Sequence, residues 1–303
     1  MAVKDKNYVR TWLNSSEGQY TVDVGDSVLI TDIYVSGASS GEFLHLLIDK
    51  TTVGYFRIGG FKGNHLCYPS QNYDKEINLL SFLKEKGLFK GYPADQGQII
   101  SWKTANGSNV NVTFKMILAD AGDYTAEHEN GSQAKEYLYV NYGRPSTAPS
   151  DEGDVLINNS LIPVEFPQFP FATEVPAKSE ITVLGVCATV VGKTSGTGAN
   201  KAYTKYLKFI KEREVLFDKQ RDGLPLVGVP PSSDSTDYTT GYSMIGFNSN
   251  IDKKFAYLFE EPLVFTAGEE LNIYINTAVS AGSMNLVETD LEIAMILKYK
   301  KVE

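Results

Sequence analysis

Residues 97–118, GQIISWKTANGSNVNVTFKMIL, and residues 268–297, GEELNIYINTAVSAGSMNLVETDLEIAMIL, share one construction. A glycine opens each stretch and an alternating apolar run follows. A turn rich in Gly, Asn or Ser interrupts, and a second strand ends in Met-Ile-Leu. Period-two alternation buries one face of a strand and leaves the other wet. Each stretch is therefore expected to form a hairpin whose apolar face packs on a second sheet.

Further anchors lie upstream in the same order. Val28-Leu29-Ile30 matches Ile181-Thr182-Val183, Gly97-Gln98-Ile99-Ile100 matches Gly268-Glu269-Glu270-Leu271, and Phe114-Lys115-Met116-Ile117-Leu118 matches Ile293-Ala294-Met295-Ile296-Leu297. The spacing between partners grows steadily along the chain, as loop insertions in a duplicated unit would produce. The other apolar stretches are also short and bounded by turn residues. In the first half they are DSVLITDIYVSG, EFLHLLIDKTTVGYFRIGG and YLYVNYG. In the second they are SEITVLGVCATVVG, AYTKYLKFIKEREVLFD, GYSMIGFNSN, FAYLFEEPLVFTAGEELNIYINTA and LVETDLEIAMILKYK. One segment departs from the pattern. In KEINLLSFLKEKG, Lys75 to Gly87, residues Ile77, Leu80 and Leu83 keep helical spacing and Gly87 can end the helix, so a short crossover helix is expected there.

At 303 residues the chain is long enough for two domains with separate cores. Hydrophobic residues at 42% and charged residues at 21% are globular proportions, and 18 Tyr with 15 Phe against five Met favour pleated surfaces. The expected fold class is all-β, two tandem jelly-roll-like sandwiches with one short helix inserted in the first. RPSTAPSDEGD, 144 to 154, has no apolar period. The domains are accordingly set at 1–148 and 149–303. LIPVEFPQFPFATEVP, 161 to 176, carries Pro163, Pro167, Pro170 and Pro176 among large apolar residues. Proline cannot donate to a ladder, so an extended segment lying against the sandwich or a neighbour is expected.

A net charge of −9, with no block of basic residues, disfavours direct nucleic-acid binding. The polar N-terminal stretch lacks the apolar core of a secretory signal, and no apolar run is long enough to span a bilayer, so a cytoplasmic product is expected. Cys67 and Cys187 stand in different halves and read as buried free thiols. Gly192-Lys193-Thr194 resembles part of a phosphate loop, but Cys187 occupies the place of the required first glycine and a strand-to-strand turn explains the string better.

His45, His65 and His128 form no base or metal pair, and His65-Leu66-Cys67 lacks a second zinc pair. No catalytic, cofactor-binding or metal residue is assigned, no cofactor is expected, and the chain is read as a non-enzyme. The acidic groups at Asp151, Glu152 and Asp154, at Asp234 and Asp237, and at Glu260, Glu261, Glu269 and Glu270 read as solvated surface. Trp102 alternates in phase with Ile100 and reads as core. Tyr238 and Tyr242, beside the long polar loop 228–243, are the candidate ligand or contact residues, and Trp12 is a further exposed aromatic candidate.

The paired anchors, the helix around Ile77 to Leu83, the Pro-rich segment and the absence of an active site together resemble the double jelly-roll major capsid proteins of tailless icosahedral viruses, membrane-containing bacteriophages among them. The resemblance is architectural and spans the whole chain. It implies a virion structural protein, made in the host cytoplasm, whose subunits assemble as trimeric pseudo-hexagonal capsomers into an icosahedral shell. The partners it implies are further copies of the chain, other virion proteins and an underlying membrane, with no direct contact to nucleic acid. Residues 161 to 176 and the polar N-terminus are then candidate inter-subunit contacts. The alternatives are a phage decoration, spike or fibre protein or a carbohydrate-binding adhesion protein acting through the Tyr238 to Tyr242 loop, and an enzyme on a β-sandwich, which would need a carboxylate or histidine cluster.

Overall fold

Alternation becomes antiparallel strand pairing throughout the computed structural model, which describes residues 6–39, 41–59, 65–66, 78–124, 136–188, 191–195, 197–217, 223–226, 238–239 and 256–302. The chain divides into two units, Met1–Tyr139 and Val140–Glu303.

In the first unit the strands are β1 (Lys6–Ser15), β2 (Glu17–Thr21), β3 (Asp26–Ser36), β4 (Phe43–Ile48), β5 (Thr51–Arg57), β6 (Tyr92–Asp95), β7 (Ile99–Thr104) and β8 (Val110–Asp120), with helix α1 (Leu79–Glu85) between β5 and β6. They form two four-stranded sheets in the orders β1-β8-β3-β6 and β2-β7-β4-β5. The inward residues, among them Ile30, Leu44, Leu46, Phe56, Trp102 and Phe114, are fully or nearly fully buried.

The second unit holds β9 (Glu136–Arg144), β10 (Gly153–Leu156), β11 (Asn159–Ser160), β12 (Ser179–Ala188), β13 (Gly192–Thr194), β14 (Lys201–Lys211), β15 (Glu214–Val215), β16 (Leu224–Pro225), β17 (Tyr238–Thr239), β18 (Tyr257–Thr266), β19 (Leu271–Ala281) and β20 (Ile293–Lys301). One sheet runs β11-β9-β20-β12-β18 and the other β10-β19-β14-β13-β17, with β15 and β16 also pairing β14. The division between units falls inside β9, whose neighbours are β11 and β20. The boundary therefore lies ahead of the expected 148/149, and RPSTAPSDEGD is a connection within the second unit. Composition marked a loop correctly; sheet membership decided the domain.

Every anchor pair occupies matching places. Val28–Ile30 on β3 and Ile181–Val183 on β12 each lie one strand from a sheet end, beside β8 and β20, which carry the Met-Ile-Leu anchors. The ladder breaks after the same anchor residue of β3 and β12, while on the Met-Ile-Leu strands the two breaks lie two residues apart. A bulge separates Ile30 from Asp32 opposite Met116/Lys115, and another separates Val183 from Gly185 opposite Leu297/Ile296.

The expected hairpins are absent. β7 pairs β2 and β4 while β8 pairs β1 and β3, so the turn between them carries the chain from one sheet to the other, as does the β19–β20 connection. Glu42 fixes the first crossing: its Oε1 accepts from Phe43 N at 3.0 Å and Asn106 N at 2.9 Å. Alternation identifies which face is buried, but the partner that completes the ladder is set elsewhere.

Helix α1 is shorter than its periodicity. Asn78 stands as its N-cap, accepting from Leu80 N and Ser81 N, while its amide donates to Ile33 O at 2.6 Å and so ties the helix start to β3. At the other end Gly87 N donates to Lys84 O and Leu88 N to Leu83 O, with Gly87 at φ +71, a left-handed closure that glycine adopts without strain. The helix is held to the Thr31–Ile33 part of β3, where Ser81 and Lys84 meet Asp32, and the strand is buried continuously from Ser27 to Ile33.

The Pro-rich segment takes the first of its two expected places, against the sandwich. It forms no strand, but its rings turn into its own unit: Phe166, Phe169 and Phe171 are buried, Phe169 packs 5.0 Å from Phe265, and Asn141 Nδ2 donates to both Pro167 O and Phe169 O at 2.7 Å. Gly143 is needed beneath it, since a Cβ there would lie 2.4 Å from the Phe171 ring. Most of the apolar mass of 161–176 packs into the core of the second unit; Val164 alone of its large apolar residues stands out, 90% exposed.

Candidate functional site

The residues singled out in the sequence are not brought together. Tyr238 lies on β17, paired through Lys193, but its side chain and the whole of Tyr242 lie outside the described residues, as do Cys67, His128, Asp234 and Asp237. Trp102 is core, 1% exposed. His45 is buried on β4 and its Nε2 lies 2.7 Å from Thr52 Oγ1. His65 is wholly buried; burial first, and the nearby Arg57 second, push its pKa down to about 3, so it is a neutral imidazole. Burial, with a smaller contribution from Glu292, raises the Cys187 thiol, which is an inert packed group and not a nucleophile. Among the described residues no three His, Cys, Asp or Glu side chains gather where they could hold a metal.

The phosphate-loop look-alike is strand β13. Lys193 reaches Asp290, fully buried, at 3.0 Å, and Asp290 also accepts from Val287 N at 2.9 Å. The lysine is thus a structural cation. Of the acidic residues, Asp154 pairs with Lys208 and accepts from Asn276 Nδ2 at 2.7 Å. Burial raises its carboxyl, but the bonds from Lys208 and Asn276 outweigh that and hold it low. Glu269 is held low by the Thr266 N–H and by Lys211 at 2.9 Å. Glu260, Glu261 and Glu270 are exposed, as solvated surface would be.

The surface with the most distinctive chemistry was anticipated only in part. The sequence marks the N-terminal stretch as polar, a candidate contact with Trp12 as an exposed aromatic, but assigns it no strand; β1 and β2 form adjacent edges of the two sheets of the first unit. The signal was present in NYVRTWLN, where Tyr8, Arg10 and Trp12 alternate with Val9, Thr11 and Leu13. An arginine on the inward side disguised the strand. Tyr8 and Tyr20 lie 6.0 Å apart, and the Arg10 guanidinium sits 4.9 Å over the Tyr20 ring and 5.4 Å over that of Trp12. Trp12 meets Trp102 edge-on at 5.9 Å and Phe114 at 5.1 Å. Gly18 permits this, because a Cβ there would stand 2.5 Å from Trp102 Nε1 and 2.7 Å from Trp12 Nε1. The Trp102 N–H is buried and lacks a hydrogen-bond partner. On the opposite face of β1, Val9 is 58% and Leu13 72% exposed.

Such an arrangement holds no acid, base or nucleophile poised for chemistry. What it offers is an aromatic rim, a positive charge and an open strand edge, the elements of a contact surface. No protein-family model, curated protein or solved structure matches this chain, which leaves fold and surface as the grounds for function.

Proposed function

We propose that the chain is a virion structural protein, a major capsid protein of the double jelly-roll kind whose subunits assemble as trimeric capsomers into an icosahedral shell. The observation that carries this reading is the strand order. Eight strands falling into sheets 1-8-3-6 and 2-7-4-5 follow jelly-roll topology, and that is the arrangement of β1 to β8. The second unit supports the same reading: β9-β20-β12-β18 repeats the first order, and β10-β19-β14 repeats three strands of the second. Fold does not specify function. A repeated sandwich whose described histidines, Trp102 and Cys187 are buried, however, is suited to work through its surfaces.

Light scattering of the purified full chain, with electron micrographs of the same samples across protein and calcium concentrations, tests the proposal. A stable trimer of the 33.4 kDa chain, or sheets and shells built from trimers, is expected. A monomer under every condition overturns the capsid reading.

A further inference from the structure

Among the described residues one sheet of the first unit ends at β1 on an unpaired edge, whereas the corresponding edge of the second unit is filled. β9, the counterpart of β1, is covered on its outer side by β11, antiparallel, through Arg144↔Asn159 and Gly143↔Ser160, and the pairing runs on through Leu161 N to Tyr142 O at 2.9 Å. The molecule thus contains a worked instance of an extended segment laid on this edge. In the first unit β8 is the neighbour of β1, and nothing lies on the other side among the described residues.

Sheet proteins protect open edges with proline, charge, bulges or short strands. Several edges here follow that rule. β18 interrupts its pairing between Leu258 and Leu263 with exposed Glu260, Glu261 and Pro262. β6 has four residues and contains Pro93, and β10 also has four. β1 is less protected: its charges are the cations Lys6 and Arg10, and its one irregularity lies beyond Trp12. It is ten residues long, continuous with β8 from Lys6 to Trp12, and free of proline and acid.

We propose that β1 is a docking edge that takes an extended acidic peptide segment of another protein by antiparallel strand addition. The charge pattern selects the occupant. β1 carries Lys6 and Arg10 in a chain of net charge −9, and among the described residues the Arg10 guanidinium makes no ion pair or hydrogen bond; it rests on the Tyr20 and Trp12 rings. A strand added beside β1 puts one side chain across from Arg10, and a carboxylate there meets the guanidinium with aromatic rings behind it. Its alternate side chains fall beside Val9, Thr11 and Leu13, where apolar residues fit. The recognised segment therefore alternates carboxylate and apolar residues, with backbone hydrogen bonds giving affinity and Arg10 giving selectivity. This docking is independent of shell assembly, since a chain that stays monomeric would still present the edge.

The test uses the full chain and two fluorescent probes, a peptide alternating Val and Glu and its Val/Lys counterpart, read by anisotropy and by amide exchange. The Val/Glu peptide is expected to bind at least about tenfold more tightly than the Val/Lys peptide, and Arg10→Glu to reverse that preference. Leu13→Glu, at a solvent-exposed position that leaves the fold intact, is expected to weaken the Val/Glu peptide by about tenfold. Bound peptide is expected to slow amide exchange within Asn7–Leu13. Equal binding of the two peptides overturns the proposal, and so does binding that leaves those amides unprotected, as an acidic saccharide or nonspecific charge contact would. Self-association through β1 that the Val/Glu peptide fails to displace also overturns it, because the occupant is then a second copy.

Discussion

Removing Lys84 is expected to destabilise the first unit more than removing its partner Asp32. Asp32 sits at the β3 bulge, 1% exposed, where its carboxylate accepts from Lys84 Nζ at 2.6 Å and Ser81 Oγ at 2.6 Å. Lys84→Ala leaves a buried carboxylate with one neutral donor, and stranding a buried charge costs several kcal/mol. The Lys84 side chain is 36% exposed, so part of that field is already screened, and about 2–3 kcal/mol is expected. In Asp32→Ala the ammonium can swing into water, and the loss is about 1–2 kcal/mol, mostly hydrogen bonds and a small void. The double variant should cost less than the two single losses combined. Trp12 and Trp102, the chain's two tryptophans, both lie in the first unit, so tryptophan emission in urea follows this unit alone. At ordinary urea slopes the Lys84→Ala midpoint falls by about 1 M. If Asp32→Ala falls as far as or further than Lys84→Ala, the carboxylate is hydrated and the buried-pair argument fails.

Acid should weaken the first unit through His65. Its folded pKa near 3 lies below the ordinary 6.5, so the unfolded chain binds the extra proton between those values. The stabilisation is complete above pH 6.5 and declines as pH falls, by at most about 2 kcal/mol at pH 5. A His65→Asn variant should lose that slope in urea titrations at pH 7 and pH 5, and an unchanged slope would assign it elsewhere. In the second unit Gly143→Ala forces a methyl against the Phe171 ring and should lower stability by about 1–3 kcal/mol, read as a lower thermal midpoint by circular dichroism. An unchanged midpoint would mean that the Pro-rich segment is not held down at Gly143.

Strand content, the repeat and the helix were legible because they depend on local period and on pairs of similar segments. The Met-Ile-Leu anchors sit on matching strands for that reason. The hairpins were misread because alternation is identical whether a strand pairs its sequence neighbour or crosses to the opposite sheet. Only contacts such as Glu42 to Asn106 reveal the crossing. β1 was missed because its inward face is Tyr8, Arg10 and Trp12, half-buried at an edge, and gives little apolar contrast. The 148/149 boundary follows the polar loop, whereas the two units divide inside β9, which precedes that loop and joins the second unit's sheet. The ion pairs of Asp32 and Asp290 join residues 52 and 97 positions apart, a separation at which charge patterns carry no signal.

The two copies diverge unevenly, and the pattern bears on where function lies. The sheet containing β3 and its counterpart containing β12 keep strand order and the place of the bulge on β3 and β12, with the partner strands β8 and β20 shifted by two residues against it. The facing sheets have drifted at the far edge. Where the first unit places one seven-residue strand, β5, beside β4, the second meets β14 with three short pieces, β13, β16 and β15, along successive parts of its length. Short pieces template foreign strands poorly, and their connecting loops can vary without disturbing the core. Among the described residues one unit thus has its edges broken or covered, and the other has β1 open beside β8. If β1 were only a remnant of the ancestral sandwich, the same process that covered β9 with β11 would be expected to have covered or blunted it as well.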